Sequence, residues 1–248
     1  MTFKDHFTGA AAAYAAARPT YPDALFRFVA DRAPARRLAW DCATGNGQAA
    51  RDLVRYFARV VATDASEQQL AQAPPQNGVE YRVASAERSG LEAGSVDAIT
   101  VATALHWFDF EAFYREVERV LVPGGLLVAW SYGNVCVDAE LDPVVREFQR
   151  EVVGPYWPPE RRYVDEGYAT IPFPLREVEP PRLEMRVPYT LDQLLAYLAS
   201  WSSTTRYVRA TGTDPIPALR AQLEPRWGRA GARREARWPL NVRAGYVS

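Results

Sequence analysis

Between residues 38 and 132 the chain alternates short apolar runs with stretches whose apolar positions recur every three or four residues. Leu38-Ala39-Trp40, Val60-Val61-Ala62, Ala98-Ile99-Thr100-Val101 and Leu126-Leu127-Val128-Ala129 are too short for helices and lack polar alternation, as strands covered on both faces do. Residues 48–57 and 113–121 carry the helical repeat between them. This alternation predicts an α/β fold, a mostly parallel sheet with helices on both faces. Ahead of it, residues 1–23 read as a lead-in helix closed by Pro19 and Pro22, and residues 24–33 as an amphipathic helix whose Leu25, Phe26, Phe28 and Val29 can pack on the sheet. Behind it, regularity fails between residues 133 and 188, where prolines cut the chain into short pieces. Residues 182–187 and 237–243 then alternate at period two, each a strand with one wet face. Helices over residues 191–201, after Thr190 as N-cap, and 216–227 lie between them.

Two apolar runs end in an acid, and this is where chemistry enters. Asp41 closes the first and the chain then breaks into Cys42-Ala43-Thr44-Gly45-Asn46-Gly47; Asp64 closes the second. Two parallel strands joined by a helical crossover need roughly 20 to 30 residues, so both acids belong at the carboxyl ends of neighbouring strands, facing one crevice. Glycines let a backbone approach a ligand closely, and an acid at the second strand end suits the two hydroxyls of a ribose. Both dinucleotide and S-adenosylmethionine enzymes use that device. Gly45-x-Gly47-x-x-Ala50 formally satisfies the dinucleotide fingerprint. Asp41, however, would repel a pyrophosphate and attract the ammonium and sulfonium of S-adenosylmethionine.

The pattern Asp41-x-Ala43-x-Gly45-x-Gly47 resembles the first motif of class I S-adenosylmethionine-dependent methyltransferases, with Ala43 where that family most often has glycine. Ala84-Ser85-Ala86-Glu87 resembles the loop that meets the adenine. The stretch from Val96 to Asp109, containing His106-Trp107, resembles the fourth strand and its exit, and Val122-Pro123-Gly124-Gly125 the turn before the fifth strand. Phe7, Tyr14, Arg18-Pro19 and Tyr21-Pro22, taken with His106-Trp107-Phe108-Asp109, resemble the type 11 methyltransferases, and among them relatives of trans-aconitate methyltransferase. The resemblance implies a Rossmann-like, mostly parallel seven-stranded sheet, an antiparallel C-terminal strand pair and a small helical cap. On this reading residues 1–248 form one domain: cap helices over 1–33, the cofactor core over 34–132, a variable substrate-side segment over 133–210, and edge strands within 182–248. It implies S-adenosyl-L-methionine as cofactor, held by Asp41, Ala43, Thr44, Gly45, Gly47, Asp64, Ala65, Ser85, Ala86, Glu87, Thr103, Ala104 and Trp107.

Composition narrows the partners. Net charge is -1 over 248 residues, which argues against a mainly electrostatic nucleic-acid or membrane surface. The arginines among the last thirty residues are diluted by Glu224 and Glu235, and the exit of the fourth strand lacks the Pro-Pro-aromatic signature of base-amino methylases. Two cysteines, Cys42 and Cys136, and two histidines offer no disulfide framework and no metal-ligand spacing. No apolar run of about 18 residues occurs. A cytoplasmic monomer or homodimer without a metal is the default.

Methyl transfer is a displacement at a sulfonium carbon, served by alignment and desolvation rather than by a metal or a covalent intermediate. A carboxylate acceptor needs no general base, whereas a phenol, alcohol or ammonium does. His106 is the histidine positioned for that task, with packing beside Trp107 as the plainer role. Tyr14, Arg18, Trp130, Tyr132, Trp201 and Arg206 are the acceptor-side candidates: aromatic walls with guanidinium groups for a small, partly apolar acid. The resulting expectation is an enzyme that methylates a small molecule, most readily on the oxygen of a carboxylate or hydroxyl. A non-catalytic cofactor-binding protein and a nicotinamide-dependent dehydrogenase are the alternatives.

Overall fold

A computed structural model of the chain describes residues 19–247. Most of the lead-in helix expected over residues 1–23 therefore lies outside the described residues, as do Tyr14 and Arg18. In chain order the described elements are α1 (Asp23–Arg32), β1 (Leu38–Cys42), α2 (Gln48–Leu53), β2 (Arg59–Asp64), α3 (Glu67–Leu70), β3 (Val79–Val83), β4 (Val96–Ala102), α4 (Phe110–Val120) and β5 (Leu121–Tyr132). There follow α5 (Asp142–Glu147), α6 (Arg161–Asp165), β6 (Arg176–Val178), β7 (Glu184–Tyr189), α7 (Leu191–Ala199), α8 (Ser202–Thr211), α9 (Ile216–Trp227) and β8 (Arg234–Tyr246). The chain divides into two compact units. One comprises Tyr21–Gly133, Arg162–Glu184 and Pro239–Ser248; the other takes in Asn134–Arg161 and Met185–Trp238.

The first unit carries the sheet, in the order β3-β2-β1-β4-β5-β8-β6. Strands β1 to β5 pair in parallel, and β8 runs antiparallel between β5 and β6. Apolar runs become central strands here because both faces are covered. On one face Trp40, Cys42, Ile99, Val101, Leu127 and Ala129 pack with Phe113, Val117 and Val120 of α4. On the other, the indole of Trp130 meets Phe26 of α1 and Tyr21, ring centroids 6.2 and 5.2 Å away. Full burial of each large side chain contributes about 1.5–3 kcal/mol. The Pro123-Gly124-Gly125 break appears as a register shift: Val96 pairs with Leu121, but Ala98 with Leu126.

Three details differ from the sequence expectation. The sheet has eight strands rather than seven, because β7 also pairs with β8 and β6, a short and largely exposed strand, carries no pattern of its own. Helix α2 stops at Leu53 instead of reaching residue 57. The chain turns there as Arg55 and Tyr56 reach Asp23 (2.7 Å each), while Phe57 stays buried. In the second unit, α7 starts with the expected cap, a capping box of Thr190 and Gln193, and α9 has the expected bounds. Helix α8, by contrast, covers a stretch for which the sequence pattern predicts no helix.

Candidate functional site

The turn after β1 is built by backbone conformation. Ala43, Gly45 and Gly47 all take positive φ, +54°, +58° and +78°. At Gly47 only glycine fits, since the Tyr81 ring fills the space a Cβ would need, its Cε1 2.8 Å from that position. Ala43 bears its methyl group in a conformation that L-residues rarely adopt.

Asp41 is fully buried beneath this turn. One of its carboxylate oxygens accepts from the Thr44 hydroxyl at 2.5 Å, the other from the Thr100 hydroxyl at 2.7 Å. Burial pushes its carboxyl up to about 6, and the hydrogen bonds from Thr44, Thr100 and the Ala50 amide pull the other way. Asp41 thus braces the turn from below. Its side chain has no accessible surface in the chain by itself.

Asp64 is half-buried at the end of β2. Its Oδ2 accepts from the Gly45 amide at 2.9 Å and its Oδ1 from the Ser66 amide at 2.8 Å. Each carboxylate oxygen keeps a second lone pair, a set suited to two vicinal hydroxyls. One carboxylate therefore links the glycine turn to the β2 exit. The Ala84 amide donates to the Asp64 carbonyl (3.1 Å), which sets Ser85, Ala86 and Glu87 alongside, and Glu87 accepts from the Asp109 amide at 3.3 Å. Ala65 is exposed and Ala86 buried.

At the exit of β4, Thr103 takes φ +56° and its amide donates to the Trp130 carbonyl at 2.7 Å. Its hydroxyl is buried without a hydrogen-bond partner, and so is the hydroxyl of Tyr81 beside Gly47. A buried unpaired polar group costs about 1–3 kcal/mol, so two of them flanking one turn fit a polar ligand that pairs them. Ala104 leads into a single 3-10 turn, Leu105–Trp107. There the His106 ring is buried, with its centroid 4.7 Å from that of Trp107, which is 55% exposed.

A family described as a methyltransferase domain matches residues 40–129, which contain all of these groups except the Trp130 carbonyl. A provisionally named methyltransferase of Dictyostelium discoideum is 33% identical over 225 residues, 89% of this chain and 86% of that protein. The chain belongs to the methyltransferase family. More particularly, it is a class I S-adenosylmethionine-dependent methyltransferase of the type 11 group. An uncharacterized methyltransferase of Mycobacterium tuberculosis is 33% identical over 222 residues, 87% of this chain and 85% of its own. A solved structure from Anaeromyxobacter dehalogenans, provisionally described as a type II methyltransferase, superposes with a TM-score of 0.88 at 43% identity, covering 92% of this chain and 97% of that one. The likeness thus extends well beyond residues 40–129. With the family shown, the dehydrogenase and the non-catalytic binder both give way to an enzyme whose cofactor is S-adenosylmethionine.

In this methyltransferase the residues expected at the cofactor come together in the first unit, around the ends of β1, β2 and β4. The acceptor-side candidates among the described residues fall in both units. Trp130 is fully buried in the core, its Nε1 without a partner, and Tyr132 is half-buried near Tyr21. Trp201 and Arg206 belong to the second unit, where Trp201 is packed among Phe148, Trp157 and Tyr197 and Arg206 is exposed. Sequence reasoning missed the parts played by Thr100, Tyr81 and Tyr168, which meet Asp41, Gly47 and His106 from other strands and loops; Tyr81 and Tyr168 lie in no motif. The hint for Thr100 was a lone hydroxyl within an otherwise apolar run.

Proposed function

We propose that this methyltransferase acts on a small-molecule acceptor, on the oxygen of a carboxylate or hydroxyl. The observation that carries the reading is the pairing at the β4 exit of a buried imidazole with a half-exposed indole 4.7 Å away. Such an aromatic wall with one polar group suits a small, partly apolar acceptor. The near-neutral charge of the chain supports a small molecule over a nucleic acid, and the opening motif around Tyr14 and Arg18 supports a carboxylate.

The cofactor supplies an electrophilic methyl group on a sulfonium. Asp64 would accept from the ribose hydroxyls. The backbone of Ala43, Thr44, Gly45 and Gly47 would approach the amino-acid end, with Asp41 holding that turn. Ala65 and Ser85 to Glu87 would flank the adenine, and Thr103, Ala104 and Trp107 would close the other side. Among the described residues, no helix is long and apolar enough to cross a membrane. The cytoplasm, as monomer or homodimer, is part of the same proposal.

Calorimetric titration with S-adenosylhomocysteine and, separately, NADH checks the cofactor set, with micromolar binding of the first alone expected. Transfer of labelled methyl to a panel of small carboxylic acids and phenols then tests the acceptor. Labelling of nucleic acid or protein but of no small molecule would sink the proposal.

A further inference from the structure

Helix α8 starts without a cap. Trp201, at its N-cap position, offers no side-chain acceptor, and among the described residues no acceptor pairs with the amides of Ser203 and Thr204. The first amides of a helix have no partner within it and carry the positive end of its dipole, so they favour an anion. In an exposed helix, water meets that need. Here the first turn is interior: Ser203 is fully buried and Thr204 only 2% exposed.

The hydroxyls of this turn are not all used. Thr204 donates to the Leu198 carbonyl at 2.8 Å and Thr205 to the Trp201 carbonyl at 3.3 Å. Ser203, the most deeply buried of the three, has no hydrogen-bond partner. A second buried donor comes from the element that faces it. The short turn Gly154–Tyr156 and the residue after it run against α8, Tyr156 meeting Tyr207 at 5.2 Å between ring centroids and Trp157 meeting Trp201 at 5.7 Å. Ser203 falls between those two points and shares a helix face with Tyr207, four residues on. The Nε1 of Trp157 is buried and, like the Ser203 hydroxyl, unpaired. Protein interiors pair such groups as a rule.

An indole N–H and backbone amides only donate, and a hydroxyl can donate with them, a set that matches an oxyanion. Positive charge stands beside it: the Arg161 guanidinium lies over the Trp157 ring, 4.3 Å from its centroid, and donates to the Asn134 side chain at 3.1 Å. Trp157, Trp201 and Phe148, whose ring lies 6.3 Å from that of Trp201, supply apolar walls. Phe148 also opens a π-helical turn, Phe148–Val152, an irregularity frequent at functional sites.

We propose that the second unit binds the carboxylate of a small, largely apolar acid at the start of α8, its oxygens accepting from the Ser203 hydroxyl, the Trp157 indole and the amides of Ser203 and Thr204. All of these residues belong to that one unit. The assignment holds whether the acid is the methyl acceptor or a ligand that stays unmethylated, and the experiment tells the two apart.

Benzoate and acetate are the probes, titrated into the full chain labelled with 15N-tryptophan. The indole signal missing from Trp157→Phe is that of Trp157. Benzoate should shift it saturably, and methyl benzoate, its neutral ester, should not. Ser203→Ala should weaken benzoate about tenfold, as loss of a hydrogen bond to a charged group does. Without benzoate, the same variant should be at least as stable to urea as wild type, because an unpaired buried hydroxyl is gone. A merely structural serine gives the reverse, lower stability and unchanged binding, and that result overturns the proposal. So does the lack of a saturable shift with either acid, or binding that survives both Ser203→Ala and Trp157→Phe unchanged. Labelled methyl found on the bound acid makes it the acceptor. Saturable binding without methylation keeps the site and separates it from the function proposed above.

Discussion

Among the described residues, three other than glycine take left-handed backbone angles: Ala43, Thr103 and Tyr168. Each such residue costs roughly 1–2 kcal/mol, and each sits at a point that shapes the site: the turn after β1, the exit of β4 and the support of His106. Asp41 adds a cost of another kind. Its carboxyl is moved from the usual 3.8 up to about 6 by burial, so the folded chain retains a proton that the unfolded chain releases. The stability linked to this group is fully present below pH 4 and is lost as pH rises through 6. Asp41→Asn cannot ionise, and the amide can still pair with Thr44 and Thr100. Between pH 4 and pH 7 its stability relative to wild type should therefore rise by about 2–3 kcal/mol, read from urea unfolding at both pH values. An equal difference at the two pH values would show that Asp41 does not titrate in this range.

At the level of elements, helix α4 ties the sheet to the loop that follows the expected adenine segment. Glu116, on its buried face, accepts from the amide and hydroxyl of Ser89 (2.8 and 2.5 Å) and twice from Arg119 (2.7 Å each). Arg119 also donates to the Leu91 carbonyl at 2.8 Å. Burial alone would raise the Glu116 carboxyl, but Arg119 and Ser89 outweigh it and bring it down to about 2. The sign is opposite to that of Asp41: this stability is present above about pH 4.5 and lost as pH falls through 2. Glu116→Ala strands Ser89 in the interior and should cost about 2–3 kcal/mol at neutral pH by urea unfolding, discounted because Arg119 is 42% exposed. A loss below 0.5 kcal/mol would mean that the loop has other support. Central strands such as β1 and β4 were legible in the sequence because burial on both faces writes itself as an unbroken apolar run. Helix α8 was not, since it buries Ser203 and Thr204 rather than an apolar stripe. Neither was β6, whose hydrogen bonds go to β8, far along the chain.

For the molecule as a whole, the divide between what could be read and what could not follows the distance over which a group acts. Asp64, Gly45 and Gly47 carry local signals, an acid closing a run and glycines in a turn, and the structure joins the acid to that turn through the Gly45 amide. Tyr168 reaches His106 from a different stretch of the chain, and Arg243 reaches Tyr168 from farther still. No local pattern encodes such a partnership. Another long-range outcome is how the seven tryptophans are buried. Of these only Trp107 is largely exposed, and it stands next to His106. The protein therefore carries its own optical reporter. Acrylamide should quench the red-edge emission of Trp107 selectively, and S-adenosylhomocysteine should shield it. Occupancy of the site could then be followed by light in the unmodified chain, before any acceptor is known.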